Sequence, residues 1–386
     1  MKAKNRSNPI QFVASRFAQA ACCLAAALAL TGSTTLEAAI TGQWDFKSGD
    51  LSATMGLPLE YFDYPGGDTD QQTVFGTTTA LGLPDIGGAP AHVMGFPKSL
   101  PHMGYVIYPN MHSNGGGSFV NQYTLIFDLL YPTASAAAWR ALIQINDPYN
   151  TDDADLFINP TGGIGISAQY HGVVQANTWH RIAFAFDLAA PGGPTLSKYI
   201  DGVLVNQQIL GAGVDGRWAL NPVDGIFAPM ALLFTDNNAD GADNQAGYVS
   251  SIQVHDETLS SAYIQTLGAP TTDGIPTTVV VPGSIVSRKP LEGAMNVVPA
   301  SGIEVVLADG STPLNTSSIV LKVNNQTLAR NVSSAEGKHT VTAALPTLSP
   351  RSTNTVSVGF TDPSGGPVTL EWSFRMAAYL LDAELD

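Results

Sequence analysis

Cysteine is almost absent: the 386 residues hold two, Cys22 and Cys23, both near the N-terminus. Without that leader the chain has no disulfide and no thiol nucleophile, so stability rests on burial, with metal the remaining kind of cross-link. Charge is scarce at 13%, and basic charge scarcer, with 17 Lys and Arg against 32 Asp and Glu. Residues 40–270 hold 21 acidic and 6 basic residues. Such a surface repels a phosphate backbone and excludes nucleic acid as a partner, while favouring solubility outside the cell. After residue 30 no apolar run approaches the roughly 18 residues of a membrane span, so none is expected. The signatures of several enzyme classes are missing as well. There is no HExxH, no paired metal spacing and no GxSxG; His180 stands between Trp179 and Arg181, and His92, His102, His112, His171, His255 and His339 likewise fall in none of these motifs. Gly211 to Gly216 spells GxGxxG, but RWALNP follows instead of a helix, so it reads as a tight loop.

What is present begins with a leader. Lys2, Lys4, Arg6 and Arg16 precede an apolar run from Ala20 to Leu30 (AACCLAAALAL), the pattern of a secretory signal peptide over residues 1–39, cut near Ala38 or Ala39. The expected location is secreted, extracellular or cell-surface. Beyond it, short β-branched and aromatic runs recur between turn signals: YTLIFDLLY from Tyr123, WRALIQIN from Trp139, ADLFIN from Ala154, WHRIAFAFDL from Trp179, KYIDGVLV from Lys198, MALLFTD from Met230 and YVSSIQVHD from Tyr248. Several alternate apolar with polar, and Asp201-Gly202 between two runs is a hairpin signal, so antiparallel sheets are expected. The one helical turn is Ser260–Gly268, opened by Ser and closed by Gly. Thr, Pro and Gly accumulate over 271–282, which reads as a linker, and residues 283–378 carry a second set of evenly spaced runs ending in VTLEWSFRM. Trp372 and Phe374 alternate there as core residues. Residues 379–386 form a tail with no stop signal, as if the native polypeptide continued. Residues 271–386 are expected to be separable from 40–270.

The pair NTWHRIAFAFD (Asn177–Asp187) and KYIDGVLV, with LGAGVDGRWAL, MALLFTDNNADG and GYVSSIQVHDETLS after it, resembles the laminin G-like jelly roll of the concanavalin A-like lectin/glucanase superfamily. The second set, from PLEGAMNVVPASGIEVVLADG onward, resembles bacterial immunoglobulin-like domains. The resemblances imply an all-β chain: a jelly-roll β-sandwich over 40–270, then an Ig-like β-sandwich. They do not fix a ligand, because the superfamily holds lectins, adhesion modules and glycosidases alike. Glucanases of this fold share an acidic E-x-D-x-E strand, since retaining hydrolysis needs two carboxyls about 5 Å apart. No such strand occurs, and residues 40–270 contain only Glu60 and Glu257 as glutamates. The expectation is a noncatalytic binding or adhesion module for a glycan or extracellular protein, with a secreted glycoside hydrolase or its accessory domain as the rival. Oligomeric state is left open.

One stretch carries metal chemistry. Asp236, Asn238 and Asp240, followed by Gly241, place oxygen ligands at alternate positions before a turn residue, as the opening of a calcium loop does. Position twelve is Gly247, so this is no EF-hand. In the laminin G resemblance calcium sits at the sandwich rim, and a second acidic loop with Asp153 and Asp155 is a candidate to meet the first. A metal-free Asn/Asp/Gly turn is the equal alternative.

Overall fold

The computed structural model describes residues 39–63, 67–98, 103–145, 154–225, 230–236, 243–362 and 366–378. Nearly all of its regular structure is strand. Fifteen strands come first: β1 (Ile40–Trp44), β2 (Glu60–Asp63), β3 (Val74–Thr77), β4 (His92–Phe96), β5 (Met103–Ile107), β6 (Gln122–Leu130), β7 (Arg140–Ile145), β8 (Leu156–Ile158), β9 (Ile164–Ile166), β10 (Gln169–His171), β11 (His180–Asp187), β12 (Thr195–Ile200), β13 (Val203–Ile209), β14 (Ala231–Leu233) and β15 (Gly247–His255). They form an eight-stranded sheet, β13-β12-β11-β6-β15-β4-β3 with β1 on β15, and a seven-stranded sheet, β10-β9-β8-β7-β14-β5-β2.

Strand alternation sends one face of each sheet into a shared core. Tyr123, Leu125, Phe127 and Leu129 of β6 and Ile182, Phe184 and Phe186 of β11 meet Ile143, Ile145 and Leu233 of the opposite sheet. The β12–β13 hairpin turns at Asp201-Gly202, both with positive φ, as the sequence indicates. Asp201 also fixes His180: the imidazole Nδ1 lies 2.7 Å from Asp201 Oδ2, and the Gln175 amide donates to its Nε2. His180 is thereby a brace of the hairpin. Trp179 is 9% exposed, donates to the Pro84 carbonyl and packs with Ile86, Val93 and Leu130 in a small cluster of its own.

The outer face of the eight-stranded sheet is also covered. Ile126, Ala183, Ala185 and Tyr199 pack against Ile264 and Leu267 of the helix Ser261–Leu267, and against Ile275 and Val279 of the segment between the sandwiches. Ser260 caps that helix through its Oγ, and Gly268 ends it. Beneath the cover lies a buried polar layer. Arg181 and Asp128 form a two-pronged ion pair at 2.7 and 2.8 Å, and the guanidinium also donates to the carbonyls of Leu267 and Gly274. Gln43 and Gln253 donate to the carbonyls of Ile275 and Pro276, and the Ile275 amide donates to Ser251 Oγ. Residues 271–281 are therefore docked on the first sandwich, with Ile275 only 1% exposed. Their Thr and Pro content reads as linker because it hides two buried apolar side chains.

Nine strands follow: β16 (Ser284–Lys289), β17 (Ala294–Val297), β18 (Ile303–Ala308), β19 (Asn315–Val323), β20 (Gln326–Thr327), β21 (Asn331–Ala335), β22 (Lys338–Ala343), β23 (Thr353–Asp362) and β24 (Gly366–Met376). Two sheets, β16-β18-β22-β21 and β17-β24-β23-β19-β20, enclose Val305, Leu307, Val341, Leu321, Trp372 and Phe374. Trp372 and Phe374 are buried as their spacing indicates. The pair β17–β24 is parallel, an exception to the antiparallel expectation. Among the described residues no helix is long and apolar enough to cross a membrane.

Candidate functional site

Two rim loops of the first sandwich, one ahead of β6 and one after β13, are stitched together by residues far apart in sequence. Val120 and Leu220 exchange both backbone hydrogen bonds at 3.0 Å, and the Val223 amide donates to the Met111 carbonyl. Asp215 is the staple. Its carboxylate accepts from the amides of Ser118 at 2.7 Å and Phe119 at 2.9 Å and from Asn121 Nδ2, while its own amide donates to Asn121 Oδ1. Desolvation would raise the Asp215 pKa, but these donors outweigh it and hold the carboxyl below its ordinary value. Gly117, at φ +79, is required here: a Cβ on it would lie 2.5 Å from Asp215 Oδ1. Asn114 supports the same turn, its Oδ1 accepting from the amides of Asn121 and Gln122.

The stitched loops leave a cleft of about 510 Å³ lined by Ser118, Phe119, Asn221, Pro222 and Asp224, with Ser113 and two glycines at its margin. Asp224 is exposed, with His112 Nδ1 3.6 Å away. The lining offers a carboxylate, an amide, two hydroxyls and a phenyl edge on a rim that backbone bonds hold in shape. That set can exchange several hydrogen bonds with a polyhydroxyl ligand while packing its apolar face.

No protein-family model matches the chain, and no curated protein matches it. Among solved structures it is similar to the endo-β-1,4-glucuronan lyase of the fungus Trichoderma reesei, at 13% identity and TM-score 0.31, over 53% of this chain and 95% of that one. It is similar to a botulinum neurotoxin type C structure, a toxin whose cell entry depends on two ganglioside molecules, at 8% identity and TM-score 0.33, over 90% and 96%. CopC from Methylosinus trichosporium OB3b matches at 10% identity and TM-score 0.21, over 25% and 96%. Likeness this distant leaves function to the site itself.

The acidic loops singled out in the sequence behave differently from one another. Asp155 is fully buried, its two oxygens taking hydrogen bonds from the Ile145 amide at 2.8 Å and Arg217 Nε at 2.9 Å. Asp236 is buried too, and its carbonyl accepts from Asn244 Nδ2. Asp153, Asn238 and Asp240 lie outside the described residues. Register separates the loops: Ile145 pairs with Ala231 and Ile143 with Leu233, so the chain towards Asp236 runs towards Arg140 while Asp155 sits at the other end of β7. That end-to-end separation is about 15 Å at the usual rise of a strand. Asp155 already has a cation and an amide as partners, a poor fit for a calcium ligand. Among the described residues no group of three or more His, Cys, Asp or Glu is placed to hold a metal.

A second cleft, of about 630 Å³, opens on the outer face of the eight-stranded sheet beside the short helix, lined by Gln122, Asp187, Ser197, Tyr199, Gln207 and Glu257 among others. Asp187 Oδ1 accepts from Gln122 Nε2 and the Ala189 amide.

Proposed function

We propose that the first sandwich is a noncatalytic module that binds a glycan at the rim cleft. The observation that carries this reading is the lining itself: Asp224, Asn221, Ser118 and Phe119 combine acceptors, donors and a ring edge on loops fixed by Asp215. Vicinal hydroxyls of a sugar match such a set, and the excess of acid over 40–270 favours neutral or cationic glycans over polyanionic ones. The basic and apolar pattern of residues 1–39 supports an activity outside the cell or on its surface, with the second sandwich as a spacer or partner surface. Glycan-array binding by the wild-type chain, weakened about tenfold or more by Asp224→Ala and by Phe119→Ala with melting unchanged, is the expected result. Arrays that stay blank at high protein concentration, or binding indifferent to both substitutions, overturn it.

One observation favours a glycoside hydrolase as the second reading: Asp187 and Glu257 line the same cleft. Two carboxylates are the minimum for either stereochemical course of hydrolysis. Release of reducing ends from a polysaccharide panel, lost in Glu257→Gln, would establish it in place of the first. The calcium reading rests on the sequence spacing of Asp236, Asn238 and Asp240 alone.

A further inference from the structure

The second sandwich carries an arrangement that the first does not use. Asp309 follows β18 directly, and its Oδ1 accepts from the Leu314 amide at 2.6 Å and stands 2.7 Å from His339 Nε2. The other ring nitrogen, Nδ1, stands 2.7 Å from Ser334 Oγ. The Asp309 amide donates to the Gly337 carbonyl, which ties the carboxylate to the tip of the β21–β22 hairpin. His339 is 6% exposed, whereas Ser334 is open to solvent. An ionised carboxylate only accepts, so the proton between Asp309 and His339 belongs to Nε2. Neutral His339 then presents a lone pair at Nδ1 to the Ser334 hydroxyl. That is the polarity by which an imidazole takes the proton of a serine nucleophile, with the two ring nitrogens exchanged relative to the serine proteases.

The hairpin sets the rest. Glu336 and Gly337 both have positive φ, a two-residue turn closed by the Ala335–Lys338 pair. The next pair, Ser334 with His339, is then the non-hydrogen-bonded kind whose side chains approach most closely. The same alternation turns the Ser334 amide away from β22, at the outer edge of a sheet in which β21 is the last strand. An outward N–H on the nucleophile's own residue is placed to donate to an oxyanion formed there.

We propose that Ser334, His339 and Asp309 constitute a nucleophilic site on the second sandwich that hydrolyses small, unhindered carboxylic esters. Ser334 Oγ adds to the ester carbonyl as its proton passes to His339 Nδ1. The leaving alkoxide takes that proton and departs as the alcohol, leaving an acyl-serine. Water then adds to the acyl carbon, giving a proton to Nδ1, and collapse returns the carboxylic acid and the serine hydroxyl. Asp309 is a positioning residue that holds the tautomer. Because Ser334 stands on an exposed strand edge, the acyl group it fits is short, of acetyl size.

The test is made on the full chain with p-nitrophenyl acetate and an alkyl fluorophosphonate, followed by peptide mapping. Phosphonylation is expected at Ser334 and not at the neighbouring Ser333, which is also exposed. Ser334→Ala is expected to abolish ester turnover with unchanged melting, and Asp309→Asn to slow it about a hundredfold or more. Since Cys22 and Cys23 are the chain's only thiols, Ser334→Cys gives an independent readout: its alkylation by iodoacetamide at pH 6.5 is expected to run at least about tenfold faster than that of Ser333→Cys. Equal labelling of Ser333 and Ser334, turnover that survives Ser334→Ala, or equal alkylation of the two thiols overturns the proposal.

Discussion

Arg181→Met tests the polar layer beneath the helix and linker. The substitution keeps much of the side-chain volume but leaves the Asp128 carboxylate, fully buried, without its cation. Removing one partner of a buried pair costs about 3–5 kcal/mol, because the orphaned charge stays out of water. With a urea slope of about 3 kcal/mol per molar, the unfolding midpoint falls by about 1–1.7 M. Tryptophan fluorescence follows the transition, since Trp44, Trp139, Trp179 and Trp218 lie in the first sandwich and Trp372 in the second. Burial already raises the Asp128 pKa against the pull of Arg181, and loss of the guanidinium raises it further. A carboxyl whose folded pKa lies above its unfolded value is relatively stabilised in acid, and that stability is lost as pH rises through the folded value. The Arg181→Met penalty therefore shrinks from neutral pH towards pH 5. Asp128→Leu with Arg181→Met should recover about 1–3 kcal/mol of the loss, leaving about 2 kcal/mol for the bonds to the Leu267 and Gly274 carbonyls. A single variant within about 1 kcal/mol of wild type, or a pH-independent penalty that the double variant shares, would refute the reasoning.

Chains ending at Pro270 and at Pro282 should differ, the shorter one losing the cover of Ile275 and Val279 and melting lower, by differential scanning fluorimetry; equal melting would mean that the docked segment adds nothing. Lys198 is buried with Nζ bonded to the Gln169 carbonyl and Gln208 Oε1, and desolvation lowers its pKa to about 8. Its unfolded form still binds a proton above that value, so stability should rise from pH 8 to 10.5 by up to about 3 kcal/mol, and Lys198→Met should remove the rise in urea titrations. Asp215→Ala should loosen residues 115–121 in hydrogen exchange and weaken glycan binding without unfolding the sheets; in the wild type the same loosening should appear in acid, because a lowered carboxyl pKa gives stability that is lost as pH falls through it. Calcium at 10 mM should raise the melting temperature over chelated protein by roughly 5–10 °C if the Asp236 turn binds it, an effect lost in Asp240→Ala; superimposed curves would reduce the loop to a turn.

Local rules carried part of this fold into view. The alternation of Phe184 and Phe186, the Asp201-Gly202 turn, the Ser260 cap and the Trp372–Phe374 spacing are each written within a few residues. The strands between Ile40 and Ile107 are only four or five residues long and most contain a glycine, so periodicity does not announce them. What the sequence hides is pairing across distance. Asp215 and Asn121 stand 94 positions apart, and nothing local to either marks the rim they build. His339 has Ser334 close by in sequence, yet only the hairpin register faces them, and Asp309 arrives from another strand. The Asp236 and Asp155 loops look alike as text and leave opposite ends of β7 because neighbouring strands run antiparallel.

The docked segment also sets how the molecule carries tension. A pull applied through the second sandwich loads residues 271–282 first, against the side-chain bonds of Gln43, Gln253 and Arg181 and the seat of Ile275. Those attachments lie in series along the chain, so they release one at a time, like a strip of tape lifted from one end. Peeling the segment frees about 40 Å of extended chain before the ladder between β6 and β15 takes any load. A chain built this way yields at the segment between its sandwiches and keeps the rim loops around Asp215 intact.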